Sequence, residues 1–179
     1  MNTANPLASA APLIWTQSKS MSRQYQLKSG DTLIGNLGFE KASGSRASAE
    51  VASQRWTFKR EGFFHPRVTV RVPDSDVNVA VFHPQWSSGG NLDFPDGHQL
   101  RWRCTNFWGS HWAFVHADNR PSILFRHHEG ILKASAELEI DPADTSLPDL
   151  PLLVVLGWYL IILSAEDAAA VIVSSAVVS

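Results

Sequence analysis

The segment Leu152 to Leu163 reads LLVVLGWYLIIL and carries no charged side chain. It constrains this chain more than any other stretch. A helix that is apolar on every side must be enclosed, by protein or by lipid. Twelve helical residues rise about 18 Å, short of the roughly 30 Å hydrocarbon core of a bilayer. Glu166 and Asp167 interrupt the apolar run before Ala168 to Val173 resumes it, and no Lys or Arg follows Lys133 to anchor an orientation. Length therefore favours a helix buried in protein over a membrane anchor. Leu147-Pro148-Asp149-Leu150-Pro151 leads into it. Prolines are tolerated in a first helical turn, and an aspartate suits the positive helix end.

What precedes the helix must supply the enclosure. Pro12 to Gln17, Gln24 to Lys28 and Thr32 to Phe39 read as strands, as does Glu50 to Lys59, which places Trp56 and Phe58 on one face. Val68, Val70 and Val72 alternate with Arg67, Thr69 and Arg71. Val77, Val79 and Val81 alternate with Asn78, Ala80 and Phe82; Leu100, Trp102 and Cys104 with Arg101 and Arg103; Trp112, Phe114 and His116 with Ala113 and Val115. Ser122 to His127 and Ile131 to Ile140 continue the pattern. Phe94-Pro95-Asp96-Gly97-His98 is a clear hairpin turn, because Pro presets one dihedral and Gly accepts positive φ. About eleven or twelve short strands at regular spacing indicate an antiparallel sandwich or barrel. An all-round-apolar helix after such a set predicts a mainly β fold: a closed antiparallel barrel of about twelve strands around a central apolar C-terminal helix near 147–165. Residues 1–11 read as a flexible N-terminus and 12–179 as one domain.

Composition narrows the function classes. Apolar residues make up 44% and charged residues 18%, so the chain can form a core and is not disordered overall. A net charge of −2 argues against a nucleic-acid partner. Met1 to Ser20 lacks a basic stretch followed by an apolar one, so no secretory leader is expected. The chain reads as cytoplasmic, at most peripheral to a membrane.

Catalytic signals are thin. All seven histidines fall between His65 and His128, but without HxH, HExxH or Cys/His spacing, and His127 and His128 on one strand face apart. Cys104 stands alone, which excludes an internal disulfide and reads as a small apolar side chain. There is no G-x-S-x-G and no Gly-rich phosphate loop, and Gly109-Ser110-His111 sets its hydroxyl and imidazole on opposite faces. The acid pairs Asp74/Asp76 and Asp93/Asp96 sit in turns, where aspartate is locally favoured. Neither an enzyme, a metal site nor a cofactor is expected.

The meander from Arg55-Trp56-Thr57-Phe58 to Ile140, followed by Leu147 to Asp167, resembles the tubby C-terminal-like fold. That fold is shared by tubby proteins, phospholipid scramblases and LURP-one-related proteins. Val77-Asn78-Val79-Ala80-Val81-Phe82, Phe94-Pro95-Asp96-Gly97-His98 and Trp112-Ala113-Phe114-Val115 echo its strand and hairpin texture. The resemblance covers nearly the whole chain. It implies a twelve-stranded barrel enclosing a very apolar helix, and a binding role at phospholipid surfaces. The scramblase branch has an acidic calcium-associated segment near its last helix; here Asp141, Asp144 and Asp149 are scattered.

Two functional readings follow. In the first, the chain associates with anionic phospholipid through the outward pairs Arg67/Arg71 and Arg101/Arg103. In the second, it is a scaffold that meets another protein through a barrel face or the apolar tail Ala168 to Val178. Trp56, Trp86, Trp102, Trp108, Trp112 and Trp158 are expected in the interface between barrel and helix, with Phe107-Trp108 as the alternative loop-tip belt. Charge is unevenly spread along the chain: Arg55 to Lys133 holds ten Lys/Arg against seven Asp/Glu, and Ala134 onward holds seven acids and no base.

Overall fold

The computed structural model describes residues 6–8, 11–20, 22–85, 89–129 and 133–176. The strands in chain order are β1 (Leu13–Gln17), β2 (Gln24–Ser29), β3 (Thr32–Phe39), β4 (Ala47–Val51), β5 (Gln54–Glu61) and β6 (Arg67–Arg71). They continue as β7 (Asn78–Pro84), β8 (Gly89–Asp93), β9 (Gln99–Cys104), β10 (His111–Val115), β11 (Pro121–Glu129) and β12 (Ala134–Ile140), and the helix α1 (Leu150–Ala176) follows. Each strand pairs antiparallel with the next. Leu13 faces Leu138 and Trp15 faces Ala136, so β1 and β12 close the meander into a barrel with no edge. The expected architecture, twelve antiparallel strands around an apolar C-terminal helix, is present.

Every residue of α1 from Leu150 to Leu163 is buried inside the barrel. Each large apolar side chain so enclosed contributes about 1.5–3 kcal/mol of transfer free energy. Trp158 stacks on Trp15 at 6.2 Å, and Trp15 Nε1 donates to the Val154 carbonyl at 3.2 Å. Tyr159 lies between Phe39 and Phe58 and donates its hydroxyl to the Ser45 carbonyl at 2.6 Å. Gly157 occupies mid-helix because the Phe125 ring fills the space a Cβ would take.

The structure departs from sequence expectation in four places. Glu50 to Lys59 is not one strand: β4 and β5 meet at a turn where Ala52 and Ser53 have φ of 50° and 66°. Such left-handed turns usually announce themselves with Gly or Asn, and this one has neither. Val72 does not share the inner face of Val68 and Val70: β6 ends at Arg71, next to a register shift against β7, and Val72 is exposed. In the segment expected to be a loose terminus, Pro6–Ala8 forms a 3-10 turn and Leu7 joins the core. The helix runs well past residue 165, because ion pairs hold Glu166 and Asp167 to the barrel and the following alanines favour helix. Ile131 and Leu132 lie outside the described residues.

Antiparallel order puts alternate connections at opposite ends of the barrel. The helix enters at one end, among connections 30–31, 52–53, 72–77, 94–98, 116–120 and 141–149. It leaves at the other, among connections 18–23, 40–46, 62–66 and 105–110, beside Gln85 and Lys133.

Candidate functional site

At the helix-exit end two turns leave aromatic side chains outside. In the β9–β10 turn, Thr105 N–H donates to the His111 carbonyl at 2.8 Å and His111 N–H donates to Asn106 Oδ1 at 2.9 Å. Asn106 Nδ2 donates to Ser110 Oγ, Trp112 Nε1 donates to the Gly109 carbonyl, and Gly109 supplies a φ of 72°. These bonds fix the turn, and they hold Phe107 93% and Trp108 83% exposed. In the β5–β6 turn, Gly62 at φ 85° sits against the His65 carbonyl, where a Cβ could not fit. Phe63 and Phe64 project from it, 91% and 86% exposed.

The helix adds a third apolar element to this end. Beyond Asp167, Ala168, Ala169, Ala170, Val171 and Ile172 are all exposed. From Asp167 to Ala176 the helix rises about 14 Å. By length and composition Leu150–Ile172 could cross a membrane, but Leu150 to Leu163 lies within protein. Two ion pairs mark where α1 leaves the barrel. Arg23 binds Glu166 with two hydrogen bonds of 2.8 and 2.7 Å, lies over the Phe39 ring, and donates to the carbonyls of Lys41 and Gly44. Arg60 donates to Asp167 at 2.6 Å. Arg23 and Arg60 are thus occupied in holding the helix.

Charge divides the two ends. The exit-end connections hold Lys19, Arg23, Lys41, Arg46 and Lys133 against Glu40 alone. Adding Arg60, Glu166 and Asp167 leaves this end positive. The entry-end connections hold Asp31, Asp74, Asp76, Asp96, Asp118, Asp141, Asp144 and Asp149 against Arg120 alone. Several of these aspartates are engaged in structure. Asp144 is buried and accepts from Arg120 at 3.0 Å, with His116 Nε2 at 2.7 Å; Arg120 also donates to Asp141 at 2.7 Å. Burial pushes the Asp144 carboxyl up, but hydrogen bonds from Arg120 and His116 outweigh it and hold the carboxyl at about 2. The His98 ring stacks on Phe94 and lies 3.5 Å from Asp149, whose carboxyl burial pushes up.

The four arginines singled out from sequence are outward, but they do not form one cluster. β6 and β9 are separated by two strands, roughly 14 Å around the wall at ordinary strand spacing. Arg67 lies 3.9 Å from Glu61, and Arg71 bonds Asn78 at 2.8 Å and lies 3.7 Å from Asp76. Arg101 and Arg103 converge on Asn119 Oδ1 at 2.7 and 3.1 Å, and neither is within ion-pair reach of a carboxylate among the described residues. Of the tryptophans, Trp56, Trp102 and Trp158 are buried and Trp112 is half-buried. Trp108 is exposed: its turn is braced by its own hydrogen bonds and projects it outward, as the loop-tip reading has it. Trp86 lies outside the described residues. Cys104 is half-buried, with Sγ 3.1 Å from the Asn106 carbonyl. Among the described residues no three His, Cys, Asp or Glu side chains gather as metal ligands would.

Comparison with protein-family models, curated proteins and solved structures found no match. What can be said of function therefore rests on the geometry. Sequence reasoning found Phe107, Trp108 and the apolar tail from Ala168, but missed Phe63 and Phe64, the continuation of the helix through that tail and the division of charge between the two ends. A signal was available. Sorting the turns of a meander by odd and even number gathers the aspartates into one set and the aromatics and lysines into the other.

Proposed function

We propose that this chain is a non-enzymatic binding module that seats its helix-exit end on anionic phospholipid membranes. The observation that carries the reading is the coincidence, at one end only, of four exposed aromatic side chains, a protruding helix and the basic turns. The helix extension favours lipid over a protein groove, since a groove calls for one apolar stripe and Ala168 to Ile172 is apolar on all sides. The resemblance to tubby-like and scramblase-like proteins belongs to the same proposal; its support is the closed barrel threaded by an apolar helix.

Magnitudes indicate which force dominates. Lys19, Lys41 and Lys133 together add about 3 kcal/mol near an anionic surface. Four aromatic side chains, at the low end of about 1.5 kcal/mol each, add about 6. Apolar insertion is the larger contribution, so salt weakens binding without abolishing it. The test is vesicle co-sedimentation with neutral and anionic lipid at two salt concentrations. Anionic vesicles should bind more protein than neutral ones. Replacing Phe63, Phe64, Phe107 and Trp108 with Ser should lower partitioning at least a hundredfold while leaving the thermal unfolding midpoint in place. Absence of binding under every condition overturns the reading and favours a protein partner.

A further inference from the structure

Beside the helix exit, the barrel is not filled. A cleft of about 340 Å³ opens between α1 and the wall formed by β6 to β10. Its apolar walls are Phe82, Trp102, Trp112, Leu160, Ile161 and Leu163. On β8 the inward position nearest the exit is Gly90, flanked in register by Pro84 and Trp102; the Phe82 ring and the His83 carbonyl fill the space its Cβ would take, and Phe82 in turn forms one wall of the cleft. A second groove, about 560 Å³, adjoins it and shares Gln85, Trp102 and Trp112 with the cleft. Arg101 and Arg103 line it, the two guanidinium groups that have no carboxylate partner among the described residues. The cleft, whose rim also carries the Arg60–Asp167 ion pair, thus lies beside a groove carrying two guanidinium groups without a carboxylate partner, with Gln85, Trp102 and Trp112 in both linings. Both volumes fall within the roughly 300–1,000 Å³ of small-molecule sites.

We infer that this cleft and groove bind a single-chain anionic amphiphile. The alkyl chain lies between α1 and Trp102/Trp112, and the anionic head meets Arg103 and Arg101. The inference does not depend on membrane docking, since such a ligand can arrive as a free monomer. A carboxylate and a phosphate monoester share the required head chemistry, and the choice of probe separates a free fatty acid from a lysophospholipid.

The test uses Trp108→Phe protein, which lacks the exposed turn tryptophan, and follows tryptophan quenching by 9,10-dibromostearate below its critical micelle concentration. A brominated lysophosphatidate forms the second arm. Saturable one-to-one quenching is expected with one or both probes, and the stronger one identifies the source. Competition by unbrominated chains should weaken about three- to fourfold per methylene removed. Ser164→Trp, at the exposed mouth, should block the cleft and reduce affinity at least tenfold. Arg103→Gln should reduce affinity about tenfold for the acid and leave the methyl ester unaffected. The Phe63→Ser/Phe64→Ser variant, which removes two of the four aromatic side chains that carry vesicle binding in the proposal above, should weaken that binding and bind the probe normally, so either reading can fail alone. Non-saturable quenching, or quenching unchanged by both Ser164→Trp and Arg103→Gln, overturns the assignment.

Discussion

The two ends of this barrel are made from the same kind of element, short turns between antiparallel strands, yet they solve different problems. At the entry end the polar groups answer one another. Asp144 is held by Arg120 and His116, Asp141 by Arg120, and Asp149 faces His98. Large apolar side chains exposed there are scattered: Leu33, Val72 and Val77. At the exit end the β9–β10 turn is equally well bonded, but Phe107 and Trp108 on it, and Phe63 and Phe64 on the β5–β6 turn, have been left in solvent. A closed barrel offers no strand edge for recognition, so its ends are where a surface can diverge without disturbing the wall.

The helix carries the same contrast along its own length, and paired substitutions break or sharpen it. Val155 is fully buried, so Val155→Asp strands a carboxylate in the core and costs about 4 kcal/mol or more. Against a typical stability of about 5–15 kcal/mol this removes a large share, so the thermal midpoint read by circular dichroism should fall steeply. The same change at Ile172, which is 67% exposed, should leave the melt unchanged and weaken vesicle binding. Equal destabilisation by both would mean the extension is packed after all. Gly157→Ala comes next: its Cβ meets the buried Phe125 ring, and overpacking of this kind costs about 1–3 kcal/mol in urea unfolding. A wild-type midpoint would show that Phe125 has room to move.

The smallest effect belongs to the entry end. The Asp144 carboxyl is depressed from 3.8 to about 2, so its contribution to stability is present above pH 4 and is lost as pH falls toward 2. After allowance for solvent around Arg120, that loss is about 1–2 kcal/mol. Asp144→Asn should remove this acid-side slope while leaving vesicle binding intact. A slope that persists in the variant would assign it to other carboxylates.

Much of the fold was legible because its governing patterns are local. Period-two alternation marks strands such as β9, and an uninterrupted apolar run marks a helix that must be enclosed. The β4–β5 turn was not legible, since Ala52 and Ser53 take positive φ without a residue type that favours it. The helix length was misread because Glu166 and Asp167 look like a stop in sequence. In space they are the partners of Arg23 and Arg60, more than a hundred residues away. The arginine pairs were placed on the correct outer face by alternation, but alternation carries no information about distance around a barrel. The aromatic end escaped for a related reason: its turns are separated in sequence and meet only through the topology.

The central claim, that one end and not the other meets the membrane, is tested most directly by position-specific labelling. In a Cys104→Ser background, an environment-sensitive fluorophore is attached through Ser43→Cys in the exit-end turn 40–46 or through Val77→Cys in the entry-end turn 72–77. On adding anionic vesicles, the Ser43→Cys label should shift to the blue and become accessible to lipid-borne quencher, while the Val77→Cys label stays in water. A shift at Val77→Cys, or equal shifts at both positions, would contradict the account.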